Sequence, residues 1–155
     1  MPSETEDNTT IRLPALPCLE LRTHEKRGRG VFTRQPIAKG TLVHISPVLL
    51  FDHTEYNAHG QYTKLDDYTY KWPGGFALAL GLGSMFNHEP FGHENIGFTR
   101  DVERGVIRYT ALRDIAADEE LCICYGSHVW FEVETRNAEA EVEETETDLL
   151  ACFDL

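Results

Sequence analysis

The sequence predicts a mainly β fold built from many short strands. Short apolar, β-rich runs recur along the chain, and most are closed by glycine, proline or a charged turn. The 155 residues correspond to one domain by the usual size of domains, and no internal repeat is present. Repeated βαβ units would need a longer chain, because each parallel crossover takes a dozen or more residues. A single mainly β domain follows.

The strands are expected at residues 19–23, 31–33, 41–46, 47–51, 96–101, 106–111 and 121–125. Pro47 separates two of them and is expected to mark an edge or a bend, because proline cannot donate a ladder hydrogen bond. Glu103-Arg104-Gly105 is a hairpin signal between two others. Residues 52–75 are predicted to form an irregular insert, and residues 76–82 one helical turn or a short 3₁₀ piece.

Negative charge is concentrated at the two ends of the chain. The net charge is -12, yet residues 11–131 contain fourteen acidic and thirteen basic residues, whereas residues 132–155 contain nine acidic residues and only Arg136 as a base. We therefore expect a flexible lead-in (1–15), a folded domain (16–131) and an acidic tail (132–155) with an apolar end. The tail either solubilises the chain or attracts a basic partner. Direct nucleic-acid binding is not expected, because no basic stripe is present.

The cellular environment is predicted from what the chain contains. No apolar run approaches the length of a membrane span, and the acidic first residues do not match a secretory signal. Four cysteines in a chain with an ordinary apolar content predict reduced thiols inside a cell. Cys122 and Cys124 lack the companion ligands of a zinc site, so no metal is expected.

Residues 116–126 contain the stretch around which the other motifs are organised. An acidic turn leads into a short apolar strand that ends at Tyr125 and Gly126. The period-2 pattern points Ile123 and Tyr125 to one face of this strand. Taken alone, the stretch predicts either a buried edge strand with a core tyrosine or a strand that presents Tyr125 to a cavity.

Three short motifs follow one another along the chain: Gly28-x-Gly30, then Phe86-Asn87-His88 with Asn95 following, then Glu119-Glu120-Leu121 with Tyr125-Gly126. In this order and at this spacing they resemble the SET-domain protein lysine methyltransferases, over residues 19–130. The resemblance implies a β-clip-like fold of several small sheets, with a knot-like crossing of the C-terminal strand under a loop and short helical pieces. It also implies an S-adenosyl-L-methionine-dependent protein-lysine N-methyltransferase.

The resemblance also implies roles for individual residues. Tyr125 matches the catalytic tyrosine, whose hydroxyl lies near the transferring methyl group. Cofactor contacts are expected from Arg27, Gly28, Arg29, Gly30, Tyr70, Asn87, His88 and Trp130. Glycine lets a backbone approach a ligand closely, and an amide with an imidazole supplies the donors and acceptors that read adenine and ribose. For Tyr70 and Trp130 simple packing remains an alternative.

The substrate lysine channel is expected to be lined by Phe98, Ile123 and Tyr70. Phe98 and Ile123 have no hydroxyl that could hold a blocking water, which needs about two to four polar partners. We therefore predict a product beyond monomethyl-lysine, with dimethyl ahead of trimethyl, unless Tyr70 or Tyr109 supplies a hydroxyl.

Two departures from the family pattern keep a second function open. Glu89 stands where the family often has serine, and Cys124 where it often has aspartate. A non-catalytic SET-fold module that holds a basic partner with its acidic ends is the alternative.

The short chain most resembles the small stand-alone SET proteins of fungi and large viruses. Several of these methylate histone tails and pair as homodimers, which implies a histone substrate and a homodimer. The residues themselves do not distinguish nucleus from cytoplasm; an intracellular location is expected, with the nucleus favoured over the cytoplasm.

A nucleotide-binding loop at residues 81–83 is also conceivable, since Asp101 lies twenty residues beyond Gly81. It is disfavoured because Pro90 would break the helix that should follow.

Overall fold

The computed structural model describes residues 11, 13 and 16–125. Its strands are β1 (Leu19–His24), β2 (Gly28–Thr33), β3 (Leu42–Asp52), β4 (Thr69–Trp72), β5 (Gly75–Ala79), β6 (Asn87–His88), β7 (Ile96–Asp101), β8 (Val106–Ala111) and β9 (Glu120–Ile123). The helical pieces are α1 (His53–Ala58) and 3₁₀ turns at Gly60–Tyr62, Lys64–Asp67 and Gly83–Met85. The predicted mainly β class is confirmed, whereas the acidic tail lies outside the described residues.

The strands form two sheets. The larger has the order β4-β5-β3-β8-β7 and is antiparallel throughout. The smaller has the order β1-β2-β9-β6 and is antiparallel except where β6 and β9 run parallel. The predicted hairpin is confirmed, because β7 and β8 pair along their full length. Gly105 takes a φ of 65° in its turn, a conformation that glycine adopts without strain.

Pro47 lies within one continuous strand, so the expectation of two separate strands on either side of it is wrong. β3 runs without interruption from residue 42 to residue 52, and Pro47 lies where its partner changes. Pro47 is opposite Val106 on β8, whereas Val48 is opposite Ala79 on β5. A residue without an amide donor is tolerated there, because one ladder ends and the other begins at this point.

Residues 52–75 are regular for most of their length, which corrects the expectation of an irregular insert. Asp52 caps α1 by accepting a hydrogen bond from the backbone N of Glu55 at 2.8 Å. Tyr56 on this helix is 1% exposed, and its ring stacks on Phe76 of β5 with ring centroids 4.0 Å apart. The helix is thereby anchored to the larger sheet. The polar composition of this segment gave no sign of a helix, because the helix is stabilised by its N-terminal cap and one aromatic contact and not by a broad apolar face.

The helical turn expected at residues 76–82 is also wrong. β5 fills most of this stretch, with Ala77 and Ala79 buried and their neighbours partly exposed in the period of a strand. β5 pairs with β3 on one side and with β4 on the other. Pairing on both edges outweighs the local preference of alanine for helix.

The C-terminal strand β9 is crossed by a loop. The loop follows β6, and both of its ends bond to β9: the backbone N of Glu89 donates to Ile123 O at 2.8 Å, and the backbone N of Asn95 donates to Cys122 O at 3.2 Å. Asn95 is 2% exposed, and its side-chain Oδ1 accepts from Cys122 N at 2.8 Å. The loop therefore spans the strand from one side to the other, as the resemblance implied.

One core joins the two sheets. It contains Val31 and Leu121 from the smaller sheet and Val43, Ile107 and Tyr109 from the larger. None of these five is more than 1% exposed. The smaller sheet, which carries the motifs, is therefore held rigidly against the larger one.

The cysteines Cys18 and Cys122 are free and buried, in agreement with the expectation of reduced thiols. Cys152 lies outside the described residues.

Candidate functional site

The three motifs meet in the smaller sheet. β9 lies between β2 and β6, so Gly28 and Gly30 on β2 and the pair Asn87-His88 on β6 flank the strand that leads to Tyr125. The parallel register places Asn87 opposite Cys122 and His88 opposite Ile123. Segments that are about sixty and thirty residues apart in sequence are thus brought together by strand pairing.

The two glycines of the first motif are required for different reasons. Gly28 has a φ of 71°, and a Cβ built there would meet no atom within 4 Å. Gly30 has no unusual φ, but a Cβ there would overlap the Glu120 carboxylate and lie 2.8 Å from Asn87 Nδ2. Gly28 therefore permits a left-handed backbone beside open space, and Gly30 makes room for two side chains.

In the described part of the chain, the amide nitrogen of Asn87 is hydrogen-bonded and its amide oxygen is not. Its Nδ2 donates to Glu120 Oε1 at 2.7 Å and to the backbone O of Arg29 at 3.2 Å. Within the described part of the chain, its Oδ1 accepts no hydrogen bond. An amide oxygen whose position is fixed by the bonds of its Nδ2 to Glu120 and Arg29 suits a polar ligand with hydrogen-bond donors, so Asn87 fits an adenosyl group.

The two arginines of the first motif behave differently. Arg27 pairs with two carboxylates, its NH1 lying 2.6 Å from Glu89 Oε1 and 3.3 Å from Glu120 Oε2. Its NH2 donates to the backbone O of His88 at 2.8 Å. Arg29 is exposed, and its NH2 lies 3.5 Å from the sulfur of Met85.

His88 orients Tyr125. Its Nδ1 accepts a hydrogen bond from the backbone N of Tyr125 at 2.8 Å, and the two rings stack with centroids 5.5 Å apart and planes 16° apart. Since Nδ1 is an acceptor, the neutral tautomer with the proton on Nε2 is assigned from this network. The hydroxyl of Tyr125 donates to the backbone O of Phe86 at 3.3 Å.

Tyr125 belongs to an aromatic cluster with Tyr70, Phe98, Phe86 and Tyr109. The ring of Tyr70 lies 6.1 Å from that of Tyr125 and 5.3 Å from that of Phe98. Tyr70 is 2% exposed, its hydroxyl donates to Gly83 O at 3.0 Å, and it accepts from the hydroxyl of Tyr109 at 3.1 Å. These two hydroxyls are therefore satisfied inside the core.

The remaining residues expected at the site are placed as follows. Phe98 is partly buried in the cluster, whereas Ile123 has no exposed surface. Trp130 lies outside the described residues.

The tyrosine hydroxyls of the cluster stay protonated at neutral pH. Burial raises the pKa of Tyr125 to about 12, and Tyr68 contributes a smaller effect in the same direction. Burial also holds the pKa of Tyr70 and of Tyr109 well above the usual value. Tyr125 can therefore donate or accept a hydrogen bond but does not act as a phenolate near neutral pH.

Glu120 and Asn95 are important residues to which the motifs assigned no role. The side chain of Glu120 is 13% exposed and links Asn87 to Arg27. Asn95 donates from Nδ2 to Glu120 O at 2.8 Å and thereby fixes the start of β9. Both residues belong to the motifs, which was the sequence signal that could have indicated a role for them. Only the pairing of the strands shows which of their atoms contact the other motif residues.

Two kinds of site are absent from the described residues. Among residues 16–125, no three histidine, cysteine or acidic side chains are grouped so that they could hold a metal ion. No helix in the described part of the chain is long and apolar enough to span a membrane.

Comparison with known proteins decides the family. The SET-domain model matches residues 28–126, which is more than half of the chain. The chain belongs to the SET-domain family. It is 50% identical over 130 residues, 83% of this chain and 87% of the relative, to the "Histone-lysine N-methyltransferase, H3 lysine-37 specific" of Schizosaccharomyces pombe.

A solved structure agrees with this SET-domain assignment. A crystal structure described as that of a candidate histone methyltransferase from Plasmodium falciparum has a TM-score of 0.57 and 26% identity. The match covers 73% of this chain and 96% of that one. This SET-domain chain is an S-adenosyl-L-methionine-dependent protein-lysine methyltransferase, which confirms the enzyme class and the cofactor that the motifs implied.

Proposed function

We propose that this methyltransferase modifies a lysine in the tail of histone H3, with lysine 37 of the histone as the first site to test. The observation that carries the proposal is the identity of 50% to the yeast enzyme specific for that lysine, over most of both chains. The acidic residues at the two ends of the chain support it, because they attract a basic tail at long range.

The cofactor is proposed to lie against β2 and β6. The backbone of residues 27–30 would hold its amino-acid end, where Gly28 leaves open space. Asn87 and His88 would hold the adenosyl part, through the available Oδ1 of Asn87 and the backbone of both residues. Trp130 is retained as a proposed adenine contact. When bound, S-adenosyl-L-methionine supplies an electrophilic methyl group on a sulfonium.

Tyr125 is the proposed catalytic residue. Its hydroxyl is neutral, because burial raises its pKa to about 12. His88 fixes both its backbone and the plane of its ring. A neutral hydroxyl held in this way supplies an oxygen for weak C–H···O contacts to a polarised methyl group, each contributing about 0.5–1 kcal/mol. Alignment of the amine contributes more, up to about 7–11 kcal/mol.

The lysine channel is proposed to run past Phe98 and Tyr70, with Ile123 forming part of its buried wall. The hydroxyls of Tyr70 and Tyr109 bond to Gly83 O and to each other, so they are engaged within the core. With neither hydroxyl directed to a blocking water, a methylated amine is free to turn and react again. Dimethyl-lysine is therefore the proposed product, ahead of trimethyl-lysine.

The setting of the enzyme is part of the same proposal. Residues 16–131 would form the catalytic domain, and the enzyme would act in the nucleus, where its histone substrate is found. The apolar end of the chain, with Leu149, Leu150, Phe153 and Leu155, is proposed to pack on the body, near the lysine channel, or across a two-fold homodimer interface. Deleting residues 149–155 should then change the mass, the melting temperature or the activity. No change in any of them would exclude this role.

The substrate proposal is tested with recombinant histone H3 and a version of that histone in which arginine replaces lysine 37, assayed with radiolabelled cofactor. Methyl transfer to the first and at least tenfold less to the second is expected. Equal labelling of the two histones would place the target at another lysine. Labelling of another core histone in preference to H3 would overturn the substrate proposal but not the enzyme class.

A further inference from the structure

The side chain of Glu89 joins the segments that form the cofactor site. Its carboxylate lies 2.6 Å from Arg27 NH1, directly after Asn87-His88 on β6. Arg27 directly precedes Gly28 and also reaches Glu120 Oε2 at 3.3 Å at the start of β9. One guanidinium therefore connects residues that lead into β2, follow β6 and begin β9.

The ion pair between Arg27 and Glu89 is expected to contribute little to the stability of the fold. The side chains of Arg27 and Glu89 are 34% and 31% exposed, so solvent screens their attraction. Arg27 also donates to the backbone O of His88, the residue whose Nδ1 holds the backbone N of Tyr125. Arg27, the partner of Glu89, is thus in contact with the residue that orients the proposed catalytic tyrosine.

Glu89 also helps to fix the position of the Arg27 guanidinium. Two carboxylates and one carbonyl oxygen surround the guanidinium. A serine, common in the family at position 89, has no charge and a shorter reach, and would leave Glu120 as the partner carboxylate.

We propose that Glu89 is a positioning residue for S-adenosyl-L-methionine, acting through Arg27, and that Arg27 shapes the cofactor loop rather than pairing with the carboxylate of the cofactor. The inference rests on the cofactor site described above. It makes Glu89 a functional replacement for the family's serine.

The test is calorimetric binding of S-adenosyl-L-methionine to Glu89→Ala, with Glu20→Ala as the matched control. Glu20 pairs with Arg22 at 2.5 Å in the same smaller sheet, with side chains 37% and 32% exposed. We expect Glu89→Ala to bind the cofactor about tenfold more weakly, the lower end of the effect of losing an outer partner of a site. Glu20→Ala should stay within twofold of wild type, with a similar small change in melting temperature.

Two further measurements separate positioning from charge. S-adenosyl-L-homocysteine lacks the sulfonium charge, so positioning predicts the same loss for both ligands, whereas direct attraction by Glu89 predicts a loss for the sulfonium alone. Glu89→Gln keeps an oxygen that can accept from Arg27, and it should recover part of the affinity.

Three results would overturn the proposal. Tighter binding by Glu89→Ala would mean that the carboxylate competes with the cofactor for Arg27. Unchanged binding by a folded Glu89→Ala protein would mean that the pair belongs only to the surface, and a loss restricted to the sulfonium ligand would mean direct attraction. Failure of the wild-type protein to bind either ligand would instead count against the cofactor site itself.

Discussion

Gly30→Ala tests the cofactor site through a single added methyl group. The new Cβ would overlap the carboxylate of Glu120 and lie 2.8 Å from Asn87 Nδ2, which is closer than real Cβ contacts come. Glu120 would have to leave its 2.7 Å hydrogen bond with Asn87. A hydrogen bond to a charged group contributes about 1.5–3 kcal/mol, so the free energy of unfolding should fall by about that amount.

The same displacement should weaken cofactor binding. If Asn87 moves, a polar group of the ligand loses its partner, at a cost of about 1–3 kcal/mol. That cost corresponds to a roughly 5–150-fold rise in the Kd for S-adenosyl-L-methionine, measured by calorimetry.

Gly40→Ala is the matched control for Gly30→Ala. Gly40 has a φ of 85° and open space around it, so alanine there introduces backbone strain of about 1–2 kcal/mol and no clash. It lies on the turn before β3 and should leave the Kd for the cofactor unchanged. A folded Gly30→Ala protein whose Kd equals that of Gly40→Ala would refute the reasoning about Glu120 and Asn87.

Three further predictions follow from individual side chains. Asn87→Ala should raise the Kd for the cofactor by about 5–150-fold, from the loss of one polar partner at about 1–3 kcal/mol, whereas Asn57→Ala on the exposed face of α1 should not change it. Phe98→Tyr should shift the product toward monomethyl-lysine in mass spectrometry under excess cofactor, and an unchanged product distribution would show that another residue restricts the channel. His44 should make the fold less stable in acid: burial lowers its pKa, and its Nε2 accepts from Leu82 N at 3.2 Å, so below about pH 6.5 the unfolded chain binds a proton that the folded chain does not. The free energy of unfolding should therefore fall between about pH 7.5 and pH 5.5, by less in His44→Gln, and equal falls in both proteins would contradict the assignment.

The strands near the motifs could be predicted because their signals are local. The β7–β8 hairpin follows from two β-rich runs around Gly105, and the strand before Tyr125 follows from its apolar alternation. The errors arose where tertiary pairing decides. Pro47 is accommodated because two ladders meet there, and residues 75–79 become β5 because both of their edges are paired.

The sequence motifs named several residues that the structure brings close together, but they did not indicate the contacts between them. The motifs named Arg27, Gly30 and Asn87, yet nothing local indicates that Glu120 lies between them. Those contacts depend on the register of β9 against β2 and β6, which brings distant segments together. The different partners of Arg27 and Arg29, two carboxylates for the first and the sulfur of Met85 for the second, have the same origin.

The most direct test of the central claim is methyl transfer to histone H3 by the wild-type protein and by Tyr125→Phe, measured with radiolabelled cofactor. The wild type should label H3. The variant should keep its melting temperature and its Kd for the cofactor while its turnover falls by a factor on the order of 10², the scale expected when one group that stabilises a transition state is lost. A wild-type protein that binds cofactor but labels no histone, or a Tyr125→Phe variant with full activity, would contradict the account.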